Sequence, residues 1–408
     1  MKPLGPISSS YQTIEGELSV GGRTASALVA EAGGTPLFVY SRDMIRQRVA
    51  DLRAAMPERL AIHYAVKANP FEPVLLEMAG LVDGFDIASG GELAMVLAAG
   101  IDADEVSFAG PGKRDDELEA AIAAGVTLNC ESANETRRAL RIADKIGQIP
   151  RLAIRVNPDF ELRGSGMKMG GGAKPFGLDA ERVPALAREL IAEGADWRGL
   201  HIFAGSQALD ASALIEAQGN VLDLAARLAS EIGTPLPRLN MGGGFGIPYF
   251  HGDRPLDLAA VGSALRERFE NLPQVLESTA FCIELGRYLV GEAGVYLTRI
   301  VDRKDSHGQT FLIVDGGLHH QLAASGNFGT VVRRNYPLAI ASHFDAPATE
   351  EANVVGCLCT PLDRLADQAL LPRAEAGDLV AVFCAGAYGA TASPSAFLGQ
   401  GPAREILV

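Results

Sequence analysis

From about residue 58 the chain alternates between short apolar runs and amphipathic stretches. The apolar, β-rich runs fall at 60–67, 84–89, 105–110, 126–131, 151–157, 198–204, 237–241 and 280–284. Between most of them apolar residues recur at i, i+3 and i+4, the spacing of a helix with one buried face. Such stretches are ELAMVLAAG after Gly91, DDELEAAIAAG from Asp115, NETRRALRIADKIG from Asn134, ERVPALARELIAEG from Glu181, ALIEAQGNVLDLAARLASEIG from Ala213 and AAVGSALRERFENL from Ala259. Several begin after Ser, Asp or Asn and stop at Gly, as capped helices do. Strands alternating with helices in this way predict an α/β fold, a (β/α)8 barrel. A doubly wound open sheet is the competing solution. The barrel is preferred because residues with chemical potential recur at nearly every strand end.

After residue 285 the rhythm changes. VYLTRIVDRK, QTFLIVDGG, NVVGCLC, DLVAVFCAGAY and AREILV are β-rich and lack regular helices between them. They predict a C-terminal antiparallel β domain. The expected division is residues 1–35 as a segment packing with the β domain, 36–285 as the barrel and 286–408 as the β domain. A glycine-rich loop, ELRGSGMKMGGGAKPFG at 161–177, delays the helix after strand five.

Composition narrows the function classes. Of 408 residues 48% are apolar and 21% charged, and the net charge is -14. That balance argues against nucleic acid or an anionic membrane as partner. No run of about 20 apolar residues exists, so no membrane span is expected. The N-terminus lacks the apolar core of a signal peptide. Scattered cysteines suit a reducing cytoplasm better than a disulfide framework. Cys357 and Cys359 form a C-x-C without a second pair, and His319 and His320 are adjacent, so no metal site is expected.

The strand ends carry the chemistry. The first run closes on Lys67 before Ala68, Asn69 and Pro70. A desolvated amine at such a mouth is a nucleophile for carbonyls and forms Schiff bases; a lysine that snorkels to water is the plain alternative. Strand two supplies Asp86, strand five Arg155, strand six Phe203 and Ser206, strand seven Gly242, Gly243 and Gly244, and strand eight Glu284, Gly286 and Arg287. Consecutive glycines after a strand let backbone N–H groups approach a phosphate. The run is not G-x-G-x-x-G, because position 247 is Ile. Arg287 adds a bidentate donor for the same phosphate, and Glu284 can pair with a protonated ring nitrogen. Pyridoxal 5'-phosphate (PLP) has the aldehyde, the phosphate and the pyridine ring that such a set would hold.

YAVKAN, FDIASGGEL, GSQ, GGGFG, ELGR and CAGAYG, in this order, resemble the fold-type III PLP decarboxylases, which include diaminopimelate, ornithine and barrel-type arginine decarboxylases. The likeness runs from GTPLFVY at 34–40 to the terminal EILV. It implies an alanine racemase-like TIM barrel that decarboxylates an amino acid through a Schiff base on PLP. By the resemblance Lys67 holds the cofactor and Glu284 pairs with its ring nitrogen. Ser206, Gly243, Gly244 and Arg287 cradle the phosphate, with Asp86, Arg155, Gly286 and Tyr388 as further cofactor contacts. Cys359 matches the family's catalytic cysteine, which serves the site of a second subunit; a homodimer with shared active sites is implied.

Three departures bear on the substrate. The family's ring-stacking histidine is Phe203 here, and His201 lies two residues earlier. Leu285 stands where the family has proline. C-E-S-G-D becomes Cys359-Thr360-Pro361-Leu362-Asp363, so Thr360 replaces a glutamate that contacts the substrate's distal amine, and Asp363 is left as its candidate partner. The segment resembles divergent members, some of which act on amino acids tethered to a carrier protein. Diaminopimelate-like decarboxylation, a carrier-linked substrate, an alanine racemase-like activity and a non-catalytic PLP carrier are the readings that remain open.

Overall fold

Eight parallel strands close on themselves in chain order. They are β1 (Leu60–Ala65), β2 (Gly84–Ile87), β3 (Val106–Phe108), β4 (Thr127–Cys130), β5 (Arg151–Asn157), β6 (Asp196–Ile202), β7 (Arg238–Asn240) and β8 (Ala280–Leu285). Each pairs with the next, β4 pairs with β5, and β8 returns to β1 with Leu285 opposite Tyr64, so no edge is left. This is the expected (β/α)8 barrel. The computed structural model describes residues 1–164, 166–326 and 333–408.

Local chemistry sets the helix ends. Ser89 and Ser132 accept the amides of Glu92 and Glu135 at 3.1 Å, and Asp257 accepts that of Ala260 at 3.0 Å. Each such cap is worth about 1 kcal/mol. The helices Asp115–Ala124, Ala133–Ile146 and Ala211–Ile232 all stop at a left-handed glycine.

The chain divides into two compact units, Val49–Gly246 with Pro255–Gly286, and Met1–Arg48 with Ile247–Arg254 and Arg287–Val408. The second unit is built around the strand Gly294–Ser306, which pairs with Leu37–Tyr40, Gln309–Val314 and Leu379–Val382. Its sheet is mixed, not antiparallel as expected. Gln309–Val314 runs parallel to Glu350–Val355, and Leu37–Tyr40 parallel to Arg404–Leu407. Neither pair is joined by a hairpin, so nothing forces reversal: residues 315–349 separate the first, and nearly the whole chain separates the second. The N-terminal segment contributes Tyr11, Leu18 and Val20 to the same core as Val295, Leu297 and Phe383. Among the described residues no helix is long and apolar enough to cross a membrane.

Candidate active site

Strand β1 ends two residues before Lys67, which sits in a single 3-10 turn, Val66–Ala68. The turn is held by the Tyr64 hydroxyl donating to the Asn69 carbonyl at 2.8 Å, while Asn69 Oδ1 accepts the Phe71 amide at 3.1 Å. Pro70 disfavours continued helix. Val66, Ala68 and Asn69 are buried and Lys67 is exposed. Its Nζ lies 5.8 Å from the centroid of the Phe203 ring.

On the neighbouring strand β8, Glu284 is buried. Its Oε2 lies 3.2 Å from His201 Nε2 and accepts from Asn240 Nδ2 at 3.2 Å. Burial pushes this carboxyl toward its neutral form, but His201, Lys67 and Arg155 outweigh it and hold the pKa down at about 2. A carboxylate kept ionised inside a barrel is a fitting partner for a cationic ring N–H.

Arg155 is engaged by Glu131 at 2.8 Å. Glu131 also accepts the amides of Gly110 at 2.6 Å and Gly177 at 3.0 Å, tying the ends of β3, β4 and β5 to the close of the glycine-rich loop. Asp86 points into the barrel interior, where it accepts the Ser107 hydroxyl and lies 3.2 Å from His63 Nδ1. Asp86 is thus already engaged by side chains of β1 and β3.

The glycines after β7 pack too closely for any side chain. A Cβ on Gly243 would come within 2.0 Å of the Glu284 carbonyl oxygen, and Gly244 has φ +89°. Among the described residues neither amide has a backbone acceptor. A close-packed backbone with free N–H groups fits an anionic group such as a phosphate. Ser206 lies on the short strand Gly205–Ser206, and Gly286 ends β8 where a Cβ would meet Ala68 at 2.7 Å.

The remaining candidates belong to the β-rich unit. Arg287 is fixed by a 2.8 Å hydrogen bond from its Nη1 to the Tyr249 hydroxyl. Its guanidinium lies 4.7 Å from the centroid of the Tyr388 ring, and its buried Nε has no hydrogen-bond partner among the described residues. Tyr388 has φ +62°, an uncommon conformation for a non-glycine residue. Cys359 is exposed on a turn. Thr360 Oγ1 accepts the Leu362 amide at 3.3 Å. Asp363 is 2% exposed, and its two oxygens accept the amides of Leu318 at 2.6 Å and Leu358 at 2.9 Å. It therefore clamps its own turn and differs from the free substrate partner expected of it. Asn240 and Tyr249 escaped the sequence reading, and His201 received no role there. Their signal was slight: Asn240 just precedes, and Tyr249 just follows, the glycine run.

Residues 42–291 match the family model described as pyridoxal-dependent decarboxylase, pyridoxal binding domain. An L-glutamyl-[BtrI acyl-carrier protein] decarboxylase of Niallia circulans is 35% identical, covering 91% of this chain and 88% of that protein. A diaminopimelate decarboxylase of Neisseria meningitidis is 36% identical, over 93% and 91%. The solved structure of M. jannaschii diaminopimelate decarboxylase with L-lysine superposes with a TM-score of 0.87 at 25% identity, over 98% of this chain and 92% of that one.

Proposed function

This chain belongs to the family of pyridoxal-dependent decarboxylases, and from that membership we propose that it binds PLP and removes the α-carboxylate of an amino acid. The observation that carries the reading is Glu284, buried and held ionised at the same barrel mouth as the exposed Lys67. When bound, the cofactor supplies an electron sink for the breaking carbon–carbon bond.

The residues divide the remaining work. Lys67 is assigned the covalent hold on the aldehyde, and Glu284 keeps the ring nitrogen protonated by offering it an ionised acceptor. Gly243, Gly244, Ser206, Gly286 and Arg287 form the proposed phosphate cradle, with Tyr388 orienting the guanidinium. Phe203 covers a ring face and excludes water without a hydrogen bond. Arg155 acts on Glu284 by charge, and Asp86 supports the barrel interior. Cys359 is the proposed proton donor to the α-carbon, acting in the second site of a cytoplasmic homodimer. An exposed thiol on a turn is free to do so.

For the substrate we favour an amino acid without a free distal ammonium, one borne on a carrier protein. Two observations support this. Thr360 is uncharged, and both oxygens of Asp363 are spent on backbone amides. The Niallia circulans relative acts on such a substrate by its name. Free diaminopimelate is the second reading, supported by the likeness to the Neisseria and M. jannaschii enzymes.

The purified protein is expected to absorb at the edge of the visible, and Lys67→Ala is expected to lose that band; a wild type without it would end the reading. CO2 release is expected from carrier-linked glutamate, with little from diaminopimelate, lysine, ornithine or arginine. Racemisation without CO2 release would favour a racemase, and PLP binding without turnover a carrier.

A further inference from the structure

Strands β5, β6 and β7 place Arg155, His201 and Asn240 side by side, His201 being in register with both. His201 is 1% exposed. Its Nε2 lies 3.2 Å from Glu284 Oε2, within ion-pair reach but without formed hydrogen-bond geometry, and neither ring nitrogen has a hydrogen-bond partner among the described residues. A buried imidazole must donate from one nitrogen, and the carboxylate is the acceptor within reach. Asn240 reaches the same oxygen at 3.2 Å while its own Oδ1 is pinned by the Gly242 amide at 2.9 Å. Both contacts fall on Oε2.

We infer that His201 is a positioning residue for Glu284: its Nε2–H holds Oε2, so that the carboxylate stays ionised and offers Oε1 to a cationic ring nitrogen. The inference rests on the PLP reading above. Other charged or titratable groups face this pair, and none replaces His201. Lys67 is on the turn after β1 and exposed. His63, opposite Glu284 on β1, is engaged by Asp86 of β2. Arg155 of β5 is held by Glu131, the residue after β4. Cys282 of β8 is a buried thiol opposite Asn240. Phe203, two residues further along, offers no hydrogen bond.

The test compares His201→Phe, which keeps a ring but no donor, with His201→Gln, which restores an amide N–H. In the PLP-loaded protein His201→Phe is expected to shift the pH midpoint of the cofactor absorbance by about one unit. The same change lowers kcat about tenfold with KM nearly constant. In the cofactor-free protein, the infrared carboxylate signal that Glu284→Gln abolishes should convert to the protonated form at higher pH in His201→Phe. His201→Gln should recover most of each effect. If His201→Phe does not fold, His201→Asn, too short to reach Oε2, takes its place. An unchanged midpoint and kcat in a wild type that binds PLP and releases CO2 would overturn this inference alone. A wild type that binds no PLP would overturn it together with the proposed function.

Discussion

Asp363 separates two roles that the sequence left joined. As a substrate contact, its loss would raise KM and leave stability alone. As a clamp, its loss would unfold the turn that carries Cys359. The geometry supports the clamp: two charge-assisted hydrogen bonds, at 2.6 and 2.9 Å, on a side chain that is 2% exposed. Each such bond contributes about 1.5–3 kcal/mol, and removing the acceptor leaves two buried N–H groups unmet. Asp363→Ala should therefore cost roughly 3–5 kcal/mol. Asp363→Asn keeps one good acceptor and should cost less. Burial raises the Asp363 pKa above its ordinary value, and the two amides only partly offset this. A raised carboxyl contributes stability below its unfolded pKa and loses it as pH rises, so at neutral pH the neutral asparagine recovers part of the charge-burial cost. Urea unfolding followed by circular dichroism, beside steady-state kinetics, reads both quantities. An Asp363→Ala protein with wild-type stability and a raised KM would refute the clamp and restore the substrate contact.

Two further outcomes follow from the barrel. Gly243→Ala drives a Cβ to within 2.0 Å of a backbone oxygen, so the strand end must move; a loss of about 1–3 kcal/mol is expected, with weaker PLP retention on dialysis. An unchanged melting temperature would mean that the glycine run yields freely. The pKa of Glu284, lowered to about 2, makes its stabilisation complete above the usual glutamate range and progressively lost as pH falls toward 2. Relative to Glu284→Gln, the wild type should hold an advantage on the order of 3 kcal/mol at pH 6 that vanishes by about pH 2; an advantage independent of pH would show that the carboxylate is not the source.

The barrel was legible because parallel strands buried on both faces read as near-continuous apolar runs, and capped helices separate them. The mixed sheet was not, because the strands Leu37–Tyr40 and Arg404–Leu407 meet through tertiary packing that no local pattern encodes. Strand ends brought Lys67, Phe203 and Glu284 to notice. The Val66–Ala68 turn, however, depends on Tyr64 reaching Asn69. Nothing in C-T-P-L-D itself reveals that the aspartate turns back onto the amides of Leu318 and Leu358. Supporting partners such as His201, Asn240 and Tyr249 are set by three-dimensional neighbourhood, and single-residue chemistry at a strand end does not point to them.

The pairing of Leu37–Tyr40 bears on how the chain leaves the ribosome. That strand precedes the barrel in the chain, yet it lies between Gly294–Ser306 and Arg404–Leu407. Both neighbours arrive only after the barrel sequence has emerged. Until they do, Leu-Phe-Val-Tyr is an apolar segment with two open edges, the kind of template on which nascent chains aggregate. Arg404–Leu407 thus acts as the lock on a strand made before the barrel, and changes that break this pairing would be felt as poor yield of folded protein, far from any catalytic group.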